Sequence, residues 1–207
     1  MKQSEKSALT KQKILDAAKA EFAQNGFSAA RIDAIAQSAG VNKQLIYAHF
    51  KSKENLYSII LEDVYAHLAS FEESLSEREF ESIETIRTMV LMYFDFLSSS
   101  PDFVRLMLWE NLAGATHVKG IRTNLFVGSE KLIRQGIEKG IIRSCIDPSH
   151  TAMSINMFCF SAFSNIHTLS ALMGRDLSSK DEMQKRADHI AEIITKYMLY
   201  GEELPKC

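Results

Sequence analysis

The sequence predicts an all-α fold, on three observations. Proline occurs three times in 207 residues, at Pro101, Pro148 and Pro205, and nowhere in the first hundred. The long proline-free runs place apolar residues three and four apart, the spacing of one helix face, and no stretch has the sustained period-two alternation of a half-buried strand. The first helix is expected over 7–24, with Ile14, Leu15, Ala18 and Phe22 on one stripe and Asn25-Gly26 as its stop. Two short helices follow, over 32–39 and 43–50. A long one starts after Ser52, a good N-cap, and carries Leu56, Ile60, Val64, Leu68 and Phe71 at helical spacing. The polar run 72–81 reads as the best internal boundary, with helix able to continue partway through it. Further helices are expected near 82–97, 101–112, 119–139, 148–172 and 180–200, about nine in all by this pattern. Pro101 and Pro148 suit first turns, and Gly140 and Gly174 suit exits.

The formal charge of −2 conceals an uneven distribution. Residues 1–53 hold nine basic and four acidic residues, net +5, leaving 15 basic against 22 acidic, net −7, for the rest. A basic head on an acidic body points to nucleic-acid contact. No run approaches the ~18 apolar residues of a membrane span, and the start has no apolar signal core, so a cytoplasmic location is expected. Cys145, Cys159 and Cys207 are too few and too scattered for a disulfide framework or a zinc site. Reduced thiols, no metal and no cofactor are therefore expected.

The informative segment is IDAIAQSAGVNKQLIYAHF, residues 32–50. Two helices that cross steeply need a small residue where they touch, here Ala36, and a residue that accepts positive φ in the turn, here Gly40. Ile46 then locks the second helix on the first, which makes a helix-turn-helix, and Asn42 is its natural cap. Outward from the second helix stand Lys43, Gln44, Tyr47, Ala48 and His49. Such side chains donate to phosphates and bases, and a glutamine can read adenine with two hydrogen bonds in the major groove. Lys51 and Lys53 flank the next helix start, whose free N–H groups favour an anion.

The run 13–61 resembles the DNA-binding head of the TetR family of bacterial transcriptional regulators. The resemblance rests on a helix ending in Phe22, the Asn25-Gly26-Phe27 turn, the Ala39-Gly40-Val41 turn, and Tyr47-x-His49-Phe50 followed by Lys51-Ser52-Lys53-Glu54. It implies a helix-turn-helix domain over 1–52, joined by a long helix to a helical effector-binding and dimerisation domain over 53–207. It also implies DNA contacts from Asn42, Lys43, Gln44, Tyr47, His49 and Lys53. Ala30 and Arg31 stand where the family commonly has Thr followed by Ser or Thr, so the usual hydroxyl cap is missing, and Arg31 is expected to take the phosphate. Leu45 and Ala48 replace the frequent Thr and Tyr, which leaves the operator sequence open.

DNA readers of this kind work as dimers on palindromic sites, and the resemblance implies that the two C-terminal helices form the seam. Met153, Met157, Phe160 and Ser164 share one face of the first, and Ile190, Ile194, Tyr197 and Met198 one face of the second, although ordinary core explains either stripe as well. For a small-molecule effector, the candidates combine aromatic walls with embedded polar groups: Tyr93, Phe94, Arg105, Met107, Trp109, Asn111, Asn156, Cys159, Phe163 and His167. Each has core packing or a helix cap as its alternative. Sparse charge among them suits a neutral or weakly polar, aromatic-sized effector.

The expected function is a repressor released from DNA by such an effector. An activator, or a regulator controlled by a protein partner, fits the sequence equally. An all-helical enzyme with a carboxylate-bridged metal centre would need Glu-x-x-His pairs, and no histidine has Glu three residues earlier. No P-loop, dinucleotide fingerprint or G-x-S-x-G elbow occurs either, so no catalytic residue is assigned.

Overall fold

The computed structural model describes residues 3–119, 121 and 125–199. Among these, all regular structure is helical, in ten helices where about nine were expected: α1 (Gln3–Ala29), α2 (Ile32–Ala39), α3 (Lys43–Phe50), α4 (Lys53–Ser76), α5 (Glu84–Ser99), α6 (Pro101–Leu112), α7 (Val127–Glu138), α8 (Pro148–Ser164), α9 (Ile166–Met173) and α10 (Lys180–Leu199). Tyr200 and Cys207 lie outside the described residues, as does part of the helix expected over 119–139. No described helix is long and apolar enough to cross a membrane.

The chain divides into two compact units, Met1–His67 with Pro101–Thr123, and Leu68–Ser100 with Asn124–Cys207. In the first, α1 packs on α2 and α6, and α2 packs on α3. Ile14, Ala18, Phe22, Ile35, Ile46, Phe50, Leu56 and Ile60 form its core. Burying side chains of this size stabilises by about 1.5–3 kcal/mol each. Buried Glu110 ties this unit together: it accepts from the Tyr57 hydroxyl at 2.9 Å and from the His117 backbone N–H at 3.1 Å, with His117 Nδ1 at 3.0 Å. Burial, and then this bond to a carboxylate, push the Tyr57 phenol far above its usual value.

The expected stop at Asn25-Gly26 is a break inside α1. Gly26 adopts φ 68, ψ 173, a conformation open chiefly to glycine, and helix resumes at once with Ala30 N–H donating to the Gly26 carbonyl.

In the second unit α5 packs on α8 and α10, α7 on α8, and α8 on α9 and α10. Its core includes Leu75, Phe80, Ile86, Val90, Leu132, Ile133, Ile155 and Ile190. Helix continues partway into the polar run, as allowed for, with α4 reaching Ser76, and Glu72 at its start is wholly buried. Two expectations change here. The helix expected from residue 119 starts at Val127, where the Glu72 carboxylate accepts from the Gly128 and Ser129 backbone N–H groups, each at 3.0 Å, and so caps the free end of α7. The single helix expected over 148–172 splits at Asn165, whose side-chain amide donates to Ser164 Oγ and the Ser161 carbonyl, a local bond that competes with the helical ladder. Asp147 caps α8 by accepting from His150 N–H at 2.8 Å, and Gly140 and Gly174 take left-handed φ as exits. Cys159 is a buried free thiol.

Candidate nucleic-acid interface

Helices α2 and α3 are each eight residues long, too short to be stable alone, so their ends and buried faces decide their existence. At the end of α2, Gly40 sits at φ 66, ψ 34. Its N–H donates to the Gln37 carbonyl and that of Val41 donates to the Ala36 carbonyl, the paired bonds of a glycine-terminated helix. Two residues on, Asn42 Oδ1 accepts from Leu45 N–H at 2.8 Å and starts α3. Ile32, Ile35 and Ala36 of α2 and Ile46 and Phe50 of α3 are buried. The small Ala36 lets the helices meet, as the spacing predicts.

The other side of α3 is open. Lys43, Gln44, Tyr47 and Ala48 are exposed, Asn42 is exposed beside them, and His49 is half-buried with its ring 6.0 Å from that of Phe50. Asn42 spends its carbonyl oxygen on the cap, leaving its amide as donor. The Lys43 ammonium lies 3.1 Å from Asp33. Arg31 is exposed and stands at the N-cap of α2 with no side-chain cap. No side chain takes the place of the missing hydroxyl; Glu21 instead accepts from the Arg31 N–H itself at 2.9 Å, and sequence reasoning missed Glu21, a lone acid on a polar helix face.

At the start of α4, Ser52 Oγ accepts from Asn55 N–H at 3.1 Å, the expected cap. Lys53 is half-buried: its ammonium reaches the Ser28 carbonyl at 3.4 Å and lies 4.7 Å from the centre of the Phe27 ring. The backbone N–H and the Ser52 hydroxyl hold the Glu54 carboxyl below its ordinary pKa, so this helix end favours negative charge. Between the helices Lys51 adopts φ 65 without being glycine, and its N–H donates to the Tyr47 carbonyl at 2.8 Å.

The residues expected at an effector site fall in both compact units. Arg105, Trp109 and Asn111 are exposed on α6, with Trp109 Nε1 donating to the Ala23 carbonyl at 3.2 Å. In the other unit, Tyr93 is wholly buried and its hydroxyl donates to Glu72, with Ser129 Oγ 2.8 Å away and Asn156 hydrogen-bonded to the phenol. Cys159 is buried, which lifts its thiol to about 12. Phe163 stacks edge-on to Phe94 at 5.3 Å, and His167 is exposed. Glu72 and Ser129 were missed, although a sequence signal existed: the buried stripe 56, 60, 64, 68 reaches 72 by the same step of four.

Of the residues expected at a dimer seam, Met153, Met157 and Tyr197 are 44, 47 and 48% exposed. Phe160 and Ser164 are half-buried, and Ile190, Ile194 and Met198 are buried within one chain.

A capped helix-turn-helix whose second helix turns lysine, glutamine and tyrosine outward from a basic head defines a DNA-binding protein. Residues 14–58 match the model of bacterial regulatory proteins of the tetR family, and residues 83–194 match that of the tetracyclin repressor-like C-terminal domain. The chain is 31% identical over 190 residues to the HTH-type transcriptional repressor NicS of Pseudomonas putida, covering 89% of this chain and 88% of the relative. A transcriptional regulator from Streptomyces coelicolor shares its fold with TM-score 0.69 at 24% identity, covering 91% of this chain and 98% of that one. The regulator FadR from Bacillus subtilis, solved with stearoyl-CoA, does so with TM-score 0.61 at 17% identity, covering 89% and 97%. The chain belongs to the tetR family of bacterial regulatory proteins and is a DNA-binding transcriptional regulator.

Proposed function

We propose that this regulator is a cytoplasmic repressor that binds a palindromic operator as a homodimer and leaves it when a small-molecule effector binds. The observation that carries the reading is the open face of α3: Lys43, Gln44 and Tyr47 exposed on a helix fixed at both ends by Asn42 and Lys51. In this reading residues 1–52 read DNA and 53–207 sense and dimerise. Gln44 and Tyr47 meet base edges, His49 supports them, and Arg31, Asn42, Lys43 and Lys53 meet phosphates. Met153, Met157, Phe160, Ser164 and Tyr197 meet their twofold copies, with Ile190, Ile194 and Met198 as the layer beneath. The relative NicS is named a repressor, which supports the sign of regulation, and FadR from Bacillus subtilis was solved with a small ligand, which supports an effector. The effector would act through α4, which starts at the head with Lys53 and ends at Ser76.

The test is binding to a genomic library of duplexes followed by titration on the selected site. The reading expects one palindromic sequence to be preferred, with affinity falling steeply as salt rises. Gln44→Ala should cost about 1–3 kcal/mol and relax sequence preference, while Lys53→Ala should weaken all duplexes alike. Equal weak affinity for every duplex would sink the reading.

A further inference from the structure

In the first compact unit, the end of α1 and the face of α6 flank an open groove of about 600 Å³ lined by Ala23, Gln24, Arg105, Leu108, Trp109 and Leu112. Its apolar wall is open to water: Leu108, Trp109 and Leu112 are 36, 37 and 80% exposed. Apolar surface gathered in a concave patch marks a binding site more often than scattered exposure does. Arg105 precedes Trp109 by one helical turn, is exposed, and forms no ion pair among the described residues. It is the single charged residue of the lining.

Trp109 links this groove to the head. Its indole N–H donates to the Ala23 carbonyl at 3.2 Å, and a Cβ placed on Gly26 would stand 2.7 Å from the ring. The indole thus covers the break in α1, and α1 packs on α2 of the helix-turn-helix.

We propose that this groove binds a small monocarboxylate with a flat apolar body. The body covers Leu108, Trp109 and Leu112, and the carboxylate takes the planar fork of Arg105, which matches two oxygens at once. One cation in the lining sets one negative charge on the occupant. Because the indole also holds Ala23 and Gly26, an occupant that shifts it loosens the break in α1 and moves the support of α2. That consequence rests on the reading of the chain as an effector-released DNA binder; the binding itself does not.

Trp109 is the only tryptophan in the chain, so its emission reports on the groove. The full chain would be titrated with benzoate and with benzamide, its uncharged twin, following Trp109 fluorescence in the wild type, Arg105→Gln and Leu112→Asp, with helicity checked by circular dichroism. The expected result is a saturable change with benzoate below about 10 mM, the range open to a nine-atom ligand. The midpoint should be weakened about tenfold or more for benzamide and in both variants, as loss of one charge-assisted pair implies. No saturable response, an equal response to benzamide, or an unchanged midpoint in Arg105→Gln would each overturn the site. A change of sedimentation in Leu112→Asp without benzoate would also overturn it, assigning the patch to a second copy of the chain. Duplex affinity measured on the same samples keeps the two readings apart. Benzoate bound with duplex affinity intact refutes the coupling alone, whereas a wild type that selects no duplex refutes the repressor reading while the fluorescence result stands.

Discussion

Glu72 meets its charge with hydroxyl and backbone N–H donors. Burial outweighs those bonds and lifts its carboxyl above the ordinary 4.5. The folded chain therefore keeps this proton at a pH where the unfolded chain has lost it, and the stability tied to Glu72 is full below about pH 4.5 and lost as pH rises through the raised value. Glu72→Gln fixes the neutral form, so its thermal midpoint should gain on the wild type between mildly acidic and neutral pH; parallel curves would refute the assignment. Glu72→Ala strands the Gly128 and Ser129 N–H groups, at a cost of about 3 kcal/mol or more. The neighbouring Gly128 is set by the same contact, since a Cβ there would stand 1.9 Å from the Glu72 carbonyl oxygen. Gly128→Ala should cost more than about 3 kcal/mol. Gly40→Ala, where open space surrounds the Cβ and only φ 66 is strained, should cost about 1 kcal/mol. Urea midpoints rank the two, and equal losses would contradict the geometry.

Among the elements, the short α3 depends on the cap that precedes it. Asn42→Ala should destabilise by about 1 kcal/mol, with Asn42→Ser recovering most of it; identical urea curves for wild type and Ala would remove the cap from the account. The same locality explains what could be read in advance. The bounds of α2, α3 and α6 follow from Gly40, Asn42 and Pro101, residues that act within one turn of themselves. What escaped was set from afar or by rival local bonds. The start of α7 depends on Glu72, 56 residues earlier, and a helical pattern carries no mark of such a partner. The split at Asn165 depends on one amide reaching back to Ser161, which apolar spacing cannot reveal. In the candidate interface the residue types and the turn were legible, while the Glu21 bond to Arg31 N–H and the Asp33 pairing required coordinates.

For the molecule as a whole, dimerisation is the property on which the operator reading depends. Met153 and Met157 of α8 and Tyr197 of α10 leave apolar surface exposed on two helices that pack together. Met157→Glu should convert a dimer to monomers and cost duplex affinity by removing the second head, because two half-sites bind cooperatively only when linked. Sedimentation of Met157→Glu at the wild-type mass would place the seam elsewhere. The split of charge, +5 over residues 1–53 and −7 beyond, makes the salt slope a whole-molecule quantity as well.

The contact between Lys43 and Asp33 bears on that slope. Under the proposed reading, a lysine that reaches a phosphate from this position first gives up a carboxylate, so duplex binding would exchange one anionic partner for another and gain only the difference between them. Both side chains are about half exposed, 48 and 60%, so the exchange would cost about 1 kcal/mol or less. It would be met at every duplex alike, which would leave the choice of one site to groups such as Gln44 that have no anion to give up.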